Sequence, residues 1–153
     1  MTISDFIQEV LIDQFKEIQQ SEENHYISFG MICQGIEFLG ACLDSEPFSA
    51  KGLGAPRFRR AIHDLFPTAY RQFNQGSGKP FDLYEGLRCS LLHVLLPGSQ
   101  LELIRRSEKE RLQATHLEVK EVGGIHRLVL VLEDLFDDYE KACREIIAGI
   151  NRE

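Results

Sequence analysis

Arg88 and His93 stand five residues apart in the apolar run Asp82-Leu-Tyr-Glu-Gly-Leu-Arg-Cys-Ser-Leu-Leu-His-Val-Leu-Leu-Pro97. A guanidinium offers phosphate oxygens a planar fork of donors, and an imidazole exchanges protons near neutral pH. Together they form a charge clamp and a proton carrier that need no metal. On a regular α-helix, five steps leave two side chains about 140° apart. Convergence therefore requires a second copy of the chain or a distorted turn. The bland alternative has Arg88 paired with Glu85 and stacked on Tyr84, with His93 a core histidine.

Other residues invite chemistry less strongly. Arg57-Phe-Arg-Arg60 mixes charge with an aromatic ring and could touch a phosphate backbone, but such a trio is more often a solvated helix face with Phe58 turned inward. Cys89 and His93, at i and i+4, share a helix face, but no acid or amide is placed to orient them as a nucleophilic pair. His25, His63, His116 and His126 share no ligand spacing and read as surface or strand residues. Asp134, Asp137, Asp138 and Glu140 read as the wet face of a helix. Cysteines 33, 42, 89 and 143 show no zinc-type or Cys-x-x-Cys spacing, so reduced thiols and no metal are expected.

Arg88-x4-His93 in a capped apolar helix resembles the R-x4-6-H motif of the HEPN superfamily. Arg57/His63 and Arg111/His116 also fit the spacing, but the first pair follows a loop and the second lies in a polar connector. The resemblance implies a helical bundle that forms a two-fold homodimer, in which Arg88 and His93 of both copies meet in a cleft and cleave RNA without metal or cofactor. The ribose 2′-hydroxyl would serve as internal nucleophile and a 2′,3′-cyclic phosphate would be left. Tyr84, Arg57 and Arg60 would then contact substrate, RNA or a nucleotide, in a defence or toxin-type system with a cognate partner protein. Cys89 departs from the pattern, since catalytic members usually carry a polar residue directly after the arginine. The competing expectation is a non-enzymatic interaction or regulatory module with Arg88 and His93 structural. An open, positive cleft lined by both residues favours the enzyme, and burial with partners in the same chain favours the module.

The 153 residues, 43% apolar and 27% charged with mean hydropathy -0.20, describe one domain spanning 1–153. The longest aliphatic run, Leu128 to Leu132, falls far short of the roughly 20 apolar residues of a membrane span, and the start has no signal-peptide pattern, so a cytoplasmic chain is expected. Net charge is -7, unevenly spread. Residues 1–50 carry 9 acids and 1 base, residues 51–111 carry 6 and 11, and residues 112–153 carry 9 and 5, giving -8, +5 and -4. A basic middle lies between two acidic ends.

Periodicity supplies the scaffold. Ile7, Val10, Leu11, Phe15 and Ile18 predict an amphipathic helix over 3–19, and Phe29, Ile32, Cys33, Ile36 and Leu39 predict an enclosed one over 26–43. Glycines 30, 35 and 40 in the latter imply close backbone packing. Phe58 to Phe66 mark a short helix stopped by Pro67, and Tyr70 with Phe73 add a turn. Asp82 caps a helix over 82–96, with Glu85 reaching back. The period then shifts to two across 100–130, where Gly123-Gly124 predicts a hairpin turn. A last amphipathic helix covers 132–150. The expected fold is mainly α: a HEPN-like bundle of four to five helices with a small β-hairpin insertion at about 100–130.

Overall fold

Thr2 starts the first helix with a reciprocal cap. Its hydroxyl accepts from the Asp5 amide at 3.1 Å, and the Asp5 carboxylate accepts from the Thr2 amide at 2.8 Å. The helix, α1, runs over residues 3–19 in the computed structural model, which describes residues 1–21 and 25–152. From Ile7 to Gln14 it widens into a π-helix, so that the Phe15 amide reaches the Val10 carbonyl. The wider turn lets Ile7 and Ile12, five residues apart, both bury completely, and Ile12 therefore joins the stripe expected from the α period.

Four further principal helices and a small sheet follow this start among the described residues. Helix α2 is His25–Leu43, α3 is Gly54–Leu65, α4 covers residues 83–94 and, after the sheet, α6 is Leu132–Ile150. A 3-10 turn, Thr68–Phe73, buries Tyr70 and Phe73 below α3. The chain is thus mainly helical, as its periodicity predicts. Helix α3 begins at Gly54, four residues before the first apolar position used to place it. Helix α2 forms the centre of the bundle: among the described residues it alone is long and apolar enough to cross a membrane, and half of that stretch is buried within the fold.

The sheet corrects one expectation. Strands β2, Val119–Val122, and β3, Ile125–Val131, form the hairpin, with Gly123 and Gly124 at φ 62° and 82° in its turn. A third strand, β1, Leu101–Ile104, pairs in parallel with the far side of β3, Leu101 opposite Leu128, giving the order β1-β3-β2. The crossover between β1 and β2 holds a short helix α5, Lys109–Leu112. Leu128 and Leu130 face the helices, while Val129 and Val131 face Ile104 and Ala114 on the opposite side. Burial on both faces explains why β3 reads as an unbroken aliphatic run. At Gly124, where φ is positive, substitution by Ala is expected to cost about 1 kcal/mol, measured as a fall of about 2–4 °C in melting temperature.

Candidate functional site

Helix α4 carries the candidate motif. The Asp82 carboxylate accepts from the Glu85 amide at 3.0 Å and so caps α4 as expected, but Glu85 turns to the Gly78 amide rather than back to the cap. From Tyr84 to Cys89 the helix is π, with the Ser90 amide and hydroxyl both bonded to the Glu85 carbonyl. From Ser90 it returns to α geometry and stops where Leu95 takes a left-handed conformation at φ 59°.

Arg88 leaves this helix toward α2. Its Nε donates to one oxygen of Glu37 at 2.8 Å, a terminal nitrogen lies 2.7 Å from the same oxygen, and its guanidinium lies 5.3 Å above the Tyr84 ring. Burial opposes the Arg88 charge, but Glu37 outweighs it and holds the guanidinium above its ordinary value. A second guanidinium, Arg59, lies 5.4 Å from the same ring and is bound in bidentate fashion by Asp82 at 2.7 and 2.9 Å. Phe58 meets the ring edge-on. The result is one continuous chain, Asp82 to Arg59 to Tyr84 to Arg88 to Glu37, joining α2, α3 and α4.

Within one copy of the chain, the structure does not bring Arg88 and His93 together. The widened turn includes Arg88 and ends at Cys89, so most of the five-residue step to His93 runs through regular helix and keeps the two on different faces. His93 is exposed and, among the described residues, makes no hydrogen bond or ion pair, which corrects its reading as a core histidine. Arg88 stacks on Tyr84 as one reading had it, but it pairs with Glu37, not Glu85.

Arg57 also departs from expectation. It is buried, and its donors reach Asp44 at 2.7 and 3.2 Å and the carbonyls of Glu46, Pro47 and Phe48. The guanidinium fastens the 44–48 loop to α3 and is buried away from any substrate at the surface. Phe58 does turn inward, and Arg60 remains outside, paired with Asp64.

Charge placement matters most for the site. Among the described residues, five of the eleven bases in residues 51–111 reach acids of the flanking segments: Arg57 to Asp44, Arg88 to Glu37, Arg105 to Glu133, Arg106 to Asp134 and Asp137, and Lys109 to Asp134. Three more, Arg59, Arg60 and Arg111, pair within the segment. The acidic ends fold back on the basic middle and neutralise it. Asp134 is consequently engaged rather than simply wet: burial pushes it upward, yet Arg106 and Lys109 hold it below the usual carboxylate range, while Asp138 accepts from the Tyr70 hydroxyl and Glu140 pairs with Arg144 of its own helix.

Among the described residues no group of three metal-ligating side chains is assembled. The four cysteines are free, and burial pushes the thiols of Cys42 and Cys143 up to about 11 and about 12, which suppresses the nucleophilic thiolate.

No family model, curated protein or solved structure matches this chain. The site is therefore read from its own geometry. Sequence reasoning missed Glu37 and Arg59. A usable signal existed for the first: Glu37 is the sole Asp, Glu, Lys or Arg within α2, and a lone acid in a core helix demands a cation.

Proposed function

We propose that this chain is a HEPN-like helical module that acts by binding a partner, with Arg88 holding the bundle together. The observation that carries the reading is the Arg88–Glu37 ion pair, packed on Tyr84, in a chain whose basic segment is neutralised from within. Nucleic acid is attracted by unpaired Lys and Arg, and here the candidate clamp has already been spent on a carboxylate. A metal-independent endoribonuclease of a defence or toxin-type system is the second reading, and the exposed imidazole of His93 favours it.

Incubating the protein with a mixed RNA pool in EDTA, beside thermal melts of Arg88→Ala and His93→Ala, separates the two. The expected result is no cleavage by the unsubstituted protein, a loss of about 1–3 kcal/mol in Arg88→Ala because Glu37 is left without its cation, and an unchanged melt in His93→Ala. Cleavage that each substitution lowers by about 10² or more with folding intact would establish the nuclease instead.

A further inference from the structure

An aromatic groove lies where α1, α2 and the 44–48 loop meet. Phe6 and Phe38 are 5.1 Å apart, and Phe38 stacks on Phe48 at 5.2 Å. The three rings are shared by two adjoining hollows of about 450 and 260 Å³, one running along Val10 and Phe15 and the other reaching Met1 and Ile3. Phe48 is 49% exposed and Ile3 42%. Phe48 is not a loose loop tip, because the buried Arg57 guanidinium donates to Asp44 and to the carbonyls of Glu46, Pro47 and Phe48 itself. A buried charge thus holds an aromatic ring out in water. A ring fixed in place before binding loses little freedom on contact, which is what a binding anchor requires.

Acids border the groove. Asp5, Glu9, Asp13 and Glu17 are all exposed and stand four apart on α1, and Asp5 and Glu9 each precede a groove residue, Phe6 and Val10. The π turns from Ile7 to Gln14 hold roughly four residues each, so the four carboxylates form a nearly straight row on the solvent side of the groove. Like charges four apart oppose helix formation. Glu46 is exposed across the groove, beside Phe48. Among the described residues none of these five acids forms an ion pair, whereas most bases of residues 51–111 do.

Resting on the reading of the chain as a binding module, we propose that this groove receives a basic amphipathic helix of another protein, its apolar face on Phe6, Phe38 and Phe48 and its Lys and Arg along the acidic row. Charge complementarity selects this occupant. Acids spaced by four match bases spaced by four on a helix laid alongside, and the apolar positions between them supply the anchors of a helix-in-groove contact. Phosphate backbones and anionic lipid surfaces are repelled by the same row, and a second copy of the chain would bring its own acids to it.

The probe is a labelled model helix of about 18 residues, Leu along one face and Lys along the other, followed by fluorescence anisotropy. Saturable binding at micromolar concentration is expected, weakening as salt rises from about 0.05 to 0.5 M. Phe48→Ala is expected to weaken it at least about tenfold, and Glu9→Gln with Asp13→Asn about three- to tenfold at low salt. A helix with Glu in place of Lys, and a peptide of the same Leu/Lys composition with its leucines scattered round the helix, are expected to bind at least about tenfold more weakly than the probe. The control is Leu95→Gln, on the other exposed apolar face at the end of α4, where residues 89–101 carry no Asp, Glu, Lys or Arg, and it should leave the affinity unchanged. All the substituted side chains are exposed, so circular dichroism and melting of each variant should match the unsubstituted chain. Absence of saturable binding, equal binding of either control peptide, or an affinity indifferent to Phe48→Ala or to the acid substitutions would each overturn the proposal. So would self-association of the chain, or binding to phosphatidylserine vesicles, that Phe48→Ala abolishes. None of these outcomes touches the RNA test, so the groove and the binding reading fail separately.

Discussion

Replacing Gly40 by Ala is expected to cost about 3 kcal/mol or more, a fall of roughly 6–12 °C in melting temperature. A Cβ on Gly40 would overlap the carbonyl of Arg57 and lie 2.7 Å from its Cα. Those atoms are backbone, so no rotamer change relieves the overlap, and α2 and α3 must separate. Separation would also disturb Arg57, which fastens the 44–48 loop, and Phe58, which supports the Tyr84 ring. The damage would thus reach the Arg88–Glu37 pair without touching it. Gly149→Ala is the control: it is exposed in the last turn of α6, its Cβ would meet nothing within 4 Å, and a gain of about 0.5–1 kcal/mol is expected there. Thermal melts of the two variants check both signs, and equal effects would sink the argument from backbone contact.

That contrast bears on what the sequence makes legible. Three glycines in one helix suggest close packing, yet only Gly35 and Gly40 have it; Gly35 gives way to the Tyr139 hydroxyl, and a Cβ on Gly30 would meet nothing within 4 Å. Local signals read well: the 19-residue stripe of α6 and the glycine pair of the hairpin are fixed by neighbours in the chain. Long-range pairings do not, because period and capping carry no record of a partner. Strand β1 is four residues long and pairs with a strand 27 residues on, and Arg88 finds its acid 51 residues away. The π turns in α1 and α4 escape detection for a related reason, since one extra residue per turn leaves no composition signal.

The same limit hid the charge arrangement. Counted along the chain, the basic middle segment resembles a footprint for a polyanion. Folded, Arg105, Arg106 and Lys109 meet the first turns of α6, while Arg57 and Arg88 meet Asp44 and Glu37. Blocks of opposite sign in one sequence are thus as compatible with self-neutralisation as with an external ligand, and lone charges in apolar helices are the better guide to which pairs form.

Stability should fall as the pH drops from 7 toward 5, and His116→Gln should remove most of that fall. His116, read from sequence as a surface or strand residue, is partly buried between the sheet and α6. The Val131 amide donates to its Nδ1 at 3.0 Å, so Nε2 carries the proton and faces the Tyr70 hydroxyl at 2.7 Å, and Tyr70 in turn donates to Asp138 at 2.7 Å. Burial lowers the pKa of His116; Asp134 and Asp138 act in the opposite sense, and Lys109 reinforces burial. Lys141 lies 3.8 Å from Asp138 on its outer side. Protonating Nδ1 would set one N–H against another and release Val131. The native histidine therefore binds its proton less readily than the unfolded one, whose pKa is near 6.5. Its contribution is complete above that value and is lost as pH falls toward the depressed native value, at no more than about 1.4 kcal/mol per pH unit. His25, half-buried against Phe29, shifts in the same direction and accounts for a residual slope. Glutamine can accept from Val131 and donate to Tyr70 without titrating, so its variant should hold a nearly constant melting temperature across this window, above the range where carboxylates titrate. An unsubstituted protein with a flat profile between pH 7 and 5, or a His116→Gln variant with the same slope, would show that the network does not sense protons.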